Sequence, residues 1–184
     1  EHRTAQNMAL KIGLKKDGTI VAFEVKTMTN GGAYTGLGAT TLYLTGTFIT
    51  MPYRIPNYRY DGVRCYTNTV WGTSIRGFGA VPAKYCSETQ LDRAAKDLGI
   101  DPLEIRRVNA VAPGYEAPGQ YKFESCGIQP CIEKMAVRVK EKWPKLEKDE
   151  GIGFCGFAYM SGGIFNWIDT PYAYSSAHVK VNFD

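Results

Sequence analysis

Residues 10–27, Leu-Lys-Ile-Gly-Leu-Lys-Lys-Asp-Gly-Thr-Ile-Val-Ala-Phe-Glu-Val-Lys-Thr, decide how this chain begins to fold. Leu10, Ile12 and Leu14 alternate with Lys11, Gly13 and Lys15, and beyond Asp17-Gly18 the chain alternates again through Val21, Phe23 and Val25. A period of two puts one set of side chains on one face of a sheet. Asp-Gly between two such runs predicts a β-hairpin closed by a type I′ turn, because aspartate tolerates and glycine readily adopts the positive φ of its central residues.

Working outward, residues 30–34 read Asn-Gly-Gly-Ala-Tyr and lead into a Gly- and Thr-rich stretch to Thr50 with few charges, expected to be buried loop or strand near a ligand. The β-branched and aromatic content of residues 58–67 predicts another strand, followed by a loop over 68–79. Pro82 suits a first helical turn, and Leu91, Ala94, Ala95 and Leu98 recur at helical spacing before Gly99, a C-terminal stop. Asp101-Pro102-Leu103-Glu104 then has the form of a capping box and predicts a short helix to about Asn109.

Pro113, Gly114, Pro118 and Gly119 mark residues 112–125 as connection. Pro130 opens a third helix with Ile132, Met135, Ala136 and Val139 as its apolar stripe, ending by Pro144. Residues 151–159 and the alternation of Val179, Val181 and Phe183 predict two further strands. The mixture predicts an α+β fold of mixed, mainly antiparallel strands with three helices. Residues 1–112 read as part of a first lobe, 113–150 as a connector with one helix, and 151–184 as the opening strands of a second lobe.

Hydrophobic residues make up 44% of the 184 and charged ones 22%, which argues against disorder and for a packed core. The net charge of +4 is spread among acids rather than gathered in blocks, so nucleic acid is not an expected partner. No apolar run reaches membrane-spanning length, and the first residues lack a signal-peptide layout, so no membrane partner is expected. Five cysteines, Cys65, Cys86, Cys126, Cys131 and Cys155, are odd in number and sparse, which fits reduced thiols and a cytoplasmic protein. A start at Glu1 and a stop at Asp184, just after a strand-like run, suggest an internal piece of a longer polypeptide.

The segment most able to carry chemistry is Arg76-Gly77-Phe78-Gly79. Two glycines permit close approach of main chain to a ligand, while Arg and Phe add a charge and a flat face. Read blandly, it is a tight loop entering the next helix. A rival reading is a basic Gly-rich loop in a non-catalytic interaction or RNA-binding module, since RNA-recognition strands open with a similar pattern. Here the continuation Ala80-Val81-Pro82-Ala83 lacks the further aromatics, and Pro82 would remove a strand hydrogen bond. His2 and His178 have no ligand-spaced neighbours, Ser175, Ser176 and His178 face no evident acid, and Cys126 and Cys131 lack a third close cysteine.

Several separated runs together resemble the xanthine dehydrogenase/aldehyde oxidoreductase (molybdenum hydroxylase) family. They are residues 11–20 of the hairpin, Asn-Gly-Gly-Ala-Tyr at 30–34, Tyr-Arg-Ile-Pro-Asn at 53–57, Arg-Gly-Phe-Gly at 76–79, the helix bearing Glu88, Leu91, Asp92, Ala94 and Leu98, and Asp-Pro-Leu-Glu-Ile-Arg-Arg-Val-Asn at 101–109. The resemblance implies the large, cofactor-binding subunit of a molybdenum-dependent oxidoreductase, with a molybdenum-pterin cofactor (molybdopterin or its cytosine dinucleotide form). It also implies 2Fe-2S clusters and FAD on partner subunits or domains, a small-molecule substrate and an oligomeric complete enzyme. On that resemblance Arg76, Gly77, Phe78 and Gly79 would bind the cofactor, chiefly through main chain, and Phe78, Leu44, Phe165 and Trp167 would line the substrate pocket. The family's glutamate base would lie beyond residue 184. Leu44 stands where xanthine-oxidising members carry an arginine, which disfavours a purine, and residues 159–174 lean toward the 4-hydroxybenzoyl-CoA reductase branch.

Overall fold

A computed structural model describes residues 2–117, 122–159 and 175–181. The hairpin pairs β2 (Gln6–Leu14) with β3 (Ile20–Gly32) antiparallel, and β4 (Asn57–Tyr66) lies on the other side of β3 in parallel register, from Ala22 opposite Asn57 to Gly32 opposite Tyr66. Two short strands, β1 (His2–Arg3) and β5 (Gly72–Thr73), form a separate parallel pair. The helices are α1 (Gly38–Ile49), α2 (Ala80–Leu98), α3 (Pro102–Asn109) and α4 (Ile128–Lys142).

The α+β class holds, with two differences in detail that share one cause. Residues 38–49 form a helix rather than loop or strand, so there are four α-helices among the described residues instead of three. That helix is the crossover that lets β4 return parallel to β3, so the sheet is half parallel rather than mainly antiparallel. Four threonines and two glycines hide α1 from a propensity reading. The hydroxyls of Thr41 and Thr45 donate back to the carbonyls of Leu37 and Thr41, at 3.1 and 3.0 Å, so they are satisfied without leaving the helix. Gly46 is needed for space, because a Cβ there would stand 2.6 Å from the Tyr60 ring.

The turn also differs from expectation. Asp17 does not adopt positive φ; only Gly18 does, at 84°. Lys15 N–H donates to Thr19 O at 2.9 Å and Gly18 N–H to Lys15 O at 3.0 Å, closing a three-residue loop with glycine in the left-handed region. The pairing then shifts by one residue, from Gly13 opposite Ala22 to Leu14 opposite Ile20. An extra residue in one strand reverses the faces beyond it. Ile20 is therefore buried and Val21 is 38% exposed, while Phe23 and Val25 point inward as the alternation demands.

One face of the sheet carries the core, in two adjoining clusters. Ile20 and Phe23 pack with Tyr53, Ile55, Leu91, Ala95 and Ile105, while Val25 packs with Leu44, Phe48, Ile49, Ala80 and Ala83. Burying each large side chain contributes roughly 1.5–3 kcal/mol. Asn109, the last residue of the Asp-Pro-Leu-Glu run, explains why that run accompanies the hairpin. Its Oδ1 accepts from Ile20 N–H and its Nδ2 donates to Gly18 O, both at 2.8 Å, tying α3 to the turn.

Asp101 caps α3 by accepting from the N–H groups of Leu103 and Glu104, at 2.8 and 3.2 Å. Glu104, expected to reach back to the cap, pairs instead with Arg107, which also holds Glu133 of α4 at 2.7 Å. Only Ile132 of the α4 stripe is fully buried; Met135 is exposed. Residues 151–159 run irregularly rather than as a strand, and Val179 and Val181 are exposed in non-strand chain, because alternation alone cannot make a strand without a ladder partner. Phe183 lies outside the described residues.

Candidate functional site

The loop from β5 into α2 contains Arg76-Gly77-Phe78-Gly79, and its backbone is unusual. Gly77 has φ +94° and Phe78 φ +44°. A non-glycine residue in the left-handed region costs on the order of 1 kcal/mol or more, and persists only where its surroundings impose it. Two supports impose it here. From one side the Arg3 guanidinium donates from Nη1 to Phe78 O and from Nη2 to Arg76 O, each at 3.0 Å. From the other side α1 presses on Gly79, where a Cβ would stand 2.3 Å from Thr45 N and 2.4 Å from Thr41 O. Gly79 is thus required for space, and Gly77 for conformation.

Within the loop, Phe78 N–H donates to Ile75 O at 2.8 Å and Ala80 N–H to Gly77 O at 2.9 Å. The N–H groups of Arg76, Gly77 and Gly79 have no partner among the described residues. Unengaged N–H groups at a left-handed turn suit oxygen-rich or anionic ligands, so the donor set fits a pterin-phosphate or oxo group. Arg76 is exposed; Phe78 is half-buried against the cluster that contains the buried Leu44. The structure therefore sets Arg76, Gly77, Phe78 and Gly79, at the N-terminal end of α2, against the middle of α1, with Phe78 packed on the cluster to which the buried Leu44 belongs. Phe165 and Trp167 lie outside the described residues. The loop is neither a strand nor part of one, so the aromatic platform of an RNA-recognition strand is not formed there.

Residues 1–110 match the family described as the molybdopterin cofactor-binding domain. The chain belongs to that family. As a molybdopterin cofactor-binding domain it is 33% identical to the aldehyde oxidoreductase of Megalodesulfovibrio gigas, over 99% of this chain and 20% of the relative. It is 35% identical to the nicotinate dehydrogenase large molybdopterin subunit of Eubacterium barkeri, over 76% of this chain and 33% of that one. Among solved structures, the aldehyde oxidoreductase from Desulfovibrio gigas superposes with a TM-score of 0.74 at 34% identity, covering 78% of this chain and 16% of that one. Quinoline 2-oxidoreductase from Pseudomonas putida 86 superposes at 0.70 with 26% identity, covering 78% of this chain and 19% of that one. This molybdopterin cofactor-binding domain thus spans a fifth to a third of the length of these curated relatives.

One face of α2 carries a largely buried charged cluster; the sequence marks Glu88, Asp92 and Arg106 only as family-like positions, not as partners of one another. Arg106 Nε donates to Glu88 Oε2 at 2.9 Å, and Arg106 Nη2 meets Asp92 Oδ1 at 2.8 Å and Phe154 O at 3.1 Å. Gly156 N–H donates to the same Glu88 oxygen at 3.0 Å, which fastens residues 154–156 to α2. Lys84 is 2% exposed, with its Nζ 5.6 Å from the Tyr53 ring centroid and no hydrogen bond among the described residues. Burial pushes its ammonium down to about 8, with Glu88 pulling the other way. Burial, assisted by Glu88, also raises the Tyr53 phenol. The signal was present in the sequence: Lys84, Ser87 and Glu88 interrupt the stripe that continues through Leu91 and Ala95.

Arg3 carried no such signal, since its partners lie 73 and 75 residues away. A cleft on the outer sheet face by Lys11, Asn57 and Arg59 and another beside Trp143 and Phe154 are not lined by the loop. Among the described residues there is no group of three metal-ligating side chains, and no helix is long and apolar enough to cross a membrane.

Proposed function

We propose that the complete polypeptide is a molybdenum-dependent oxidoreductase acting on an electron-poor carbon of an aromatic, heterocyclic or aldehyde substrate, and that this chain supplies one wall of its cofactor cleft. The support comes from family membership together with the loop geometry. A positive-φ Gly-Phe pair is locked against α1 with main-chain N–H groups unengaged. Arg76, Gly77 and Gly79 would hold the cofactor through those N–H groups. Phe78 would present its ring to a planar substrate, with Leu44 beneath setting its depth. Phe165 and Trp167 would line the approach.

When bound, the molybdenum-pterin group supplies two-electron oxidation coupled to oxygen transfer from water, releasing two protons and two electrons per turnover. Those electrons require acceptors, for which we propose 2Fe-2S and FAD partner domains or subunits in an oligomeric enzyme. The relatives' names include an aldehyde, nicotinate and quinoline. All are compounds with an electron-poor carbon, which favours hydroxylation. A lean toward 4-hydroxybenzoyl-CoA reductase rests on residues 159–174 and gains no support from these relatives. Five free thiols suit a cytoplasmic location. The bridge between Tyr53 and Ala110 and the family match ending at residue 110 support a first-lobe boundary near 112.

The test is purification of the full-length enzyme with Gly77→Ala, which strains the φ +94° backbone that aims the N–H groups, and Phe78→Ala beside the parent. The parent should contain molybdenum, and turnover should fall by about tenfold to a hundredfold in the variants, the scale expected when a reactant is misplaced by an ångström. Parental turnover in both variants would refute the assignment of the loop.

A further inference from the structure

We propose that Arg3 is a positioning residue for the cofactor-facing loop, an inference that rests on the function proposed above. The guanidinium is a rigid fork whose two ends donate to the carbonyls of Arg76 and Phe78, each at 3.0 Å. These carbonyls flank Gly77 and thus bracket the left-handed pair. With both carbonyls engaged by Arg3, the peptide planes between Arg76 and Gly79 are fixed, and so are the directions of the N–H groups of Gly77 and Gly79.

The fork is itself held in place. Parallel pairing sets Arg3 beside Thr73 and His2 beside Gly72, and Gly72 is glycine because a Cβ there would stand 2.7 Å from Thr4 Oγ1. The N-terminal segment, which carries no reacting group, therefore sets the shape of a loop more than seventy residues away. Lysine carries its three donors on a single nitrogen at the end of a flexible stem and has no planar fork to hold the two carbonyls apart, so Arg3→Lys keeps the charge and removes the fork.

The experiment compares parent, Arg3→Lys and Arg3→Met in the full-length enzyme by amide hydrogen exchange, Mo(V) electron paramagnetic resonance and steady-state kinetics. In Arg3→Lys we expect faster exchange at residues 76–79 with unchanged protection across Leu91–Ala95, an altered Mo(V) signal, and kcat lowered about tenfold with KM within about threefold, the pattern of a lost transition-state arrangement. Partial recovery in Arg3→Lys relative to Arg3→Met supports the same conclusion. Unchanged exchange in the loop overturns the role of Arg3. Faster exchange with unaltered Mo(V) signal and kcat overturns it too, by showing that the loop moves without consequence for the metal. A parent enzyme without molybdenum would instead refute the functional reading on which the inference rests. If Arg3→Met fails to fold, the Arg3→Lys results alone decide.

Discussion

Replacing Lys84 with methionine should stabilise the protein at neutral pH, which is the reverse of the usual result for a core substitution. The ammonium is 2% exposed, makes no hydrogen bond among the described residues, and is pushed by burial from 10.5 down to about 8. At about 1.4 kcal/mol for each tenfold loss of proton affinity, holding that charge in the folded state costs roughly 3 kcal/mol at pH 7. The sign follows from proton counting. Below pH 8 both states are protonated and the cost is complete. Between about 8 and 10.5 the folded amine is neutral while the unfolded one still binds a proton, so stability recovers as pH rises.

Methionine keeps the length and lays a thioether over the Tyr53 ring without a charge. Lys84→Met should therefore unfold at higher urea concentration than the parent at pH 7, by up to about 3 kcal/mol, with the advantage shrinking below about 1 kcal/mol by pH 10. Urea titrations of both proteins at pH 7, 8.5 and 10 measure this. A variant less stable than the parent at pH 7, or a difference that does not change with pH, would show that Lys84 carries no buried-charge penalty.

Two further substitutions probe the supports of the loop and the hairpin. Gly79→Ala sets a methyl 2.3 Å from Thr45 N, a backbone atom that cannot move aside, so it should destabilise by about 1–3 kcal/mol in urea unfolding and displace α1 from the loop. Parental stability would show that the loop is not seated on α1. Asn109→Ala strands the N–H of Ile20 and the carbonyl of Gly18 in the core, costing about 1–3 kcal/mol for each orphaned group, and should speed amide exchange at Ile20 specifically.

Much of this architecture was legible because particular residues act locally. Gly99 at φ +68° ends α2 where the helical spacing runs out, and Asp101 caps α3 through its own side chain. The hairpin was legible too, although its turn type was not. The one-residue shift at Val21 depends on how Ile20 seats against Asn109, a residue 89 positions away. Helix α1 was obscured because its threonines and glycines serve neighbours, Thr45 receiving Gln6 and lying against Gly79, and Gly46 making room for Tyr60. Propensity records what a residue prefers alone, whereas these positions answer to contacts made after folding. The Arg-Gly-Phe-Gly loop could be marked from its letters, but its two clamps could not.

Anomalous diffraction at the molybdenum edge from crystals of the full-length enzyme bears most directly on the central claim. The metal peak should lie on the side of the loop where the Gly77 and Gly79 N–H groups point, across from Arg3. A peak separated from that loop by intervening protein, or no molybdenum peak in an active enzyme, would contradict it.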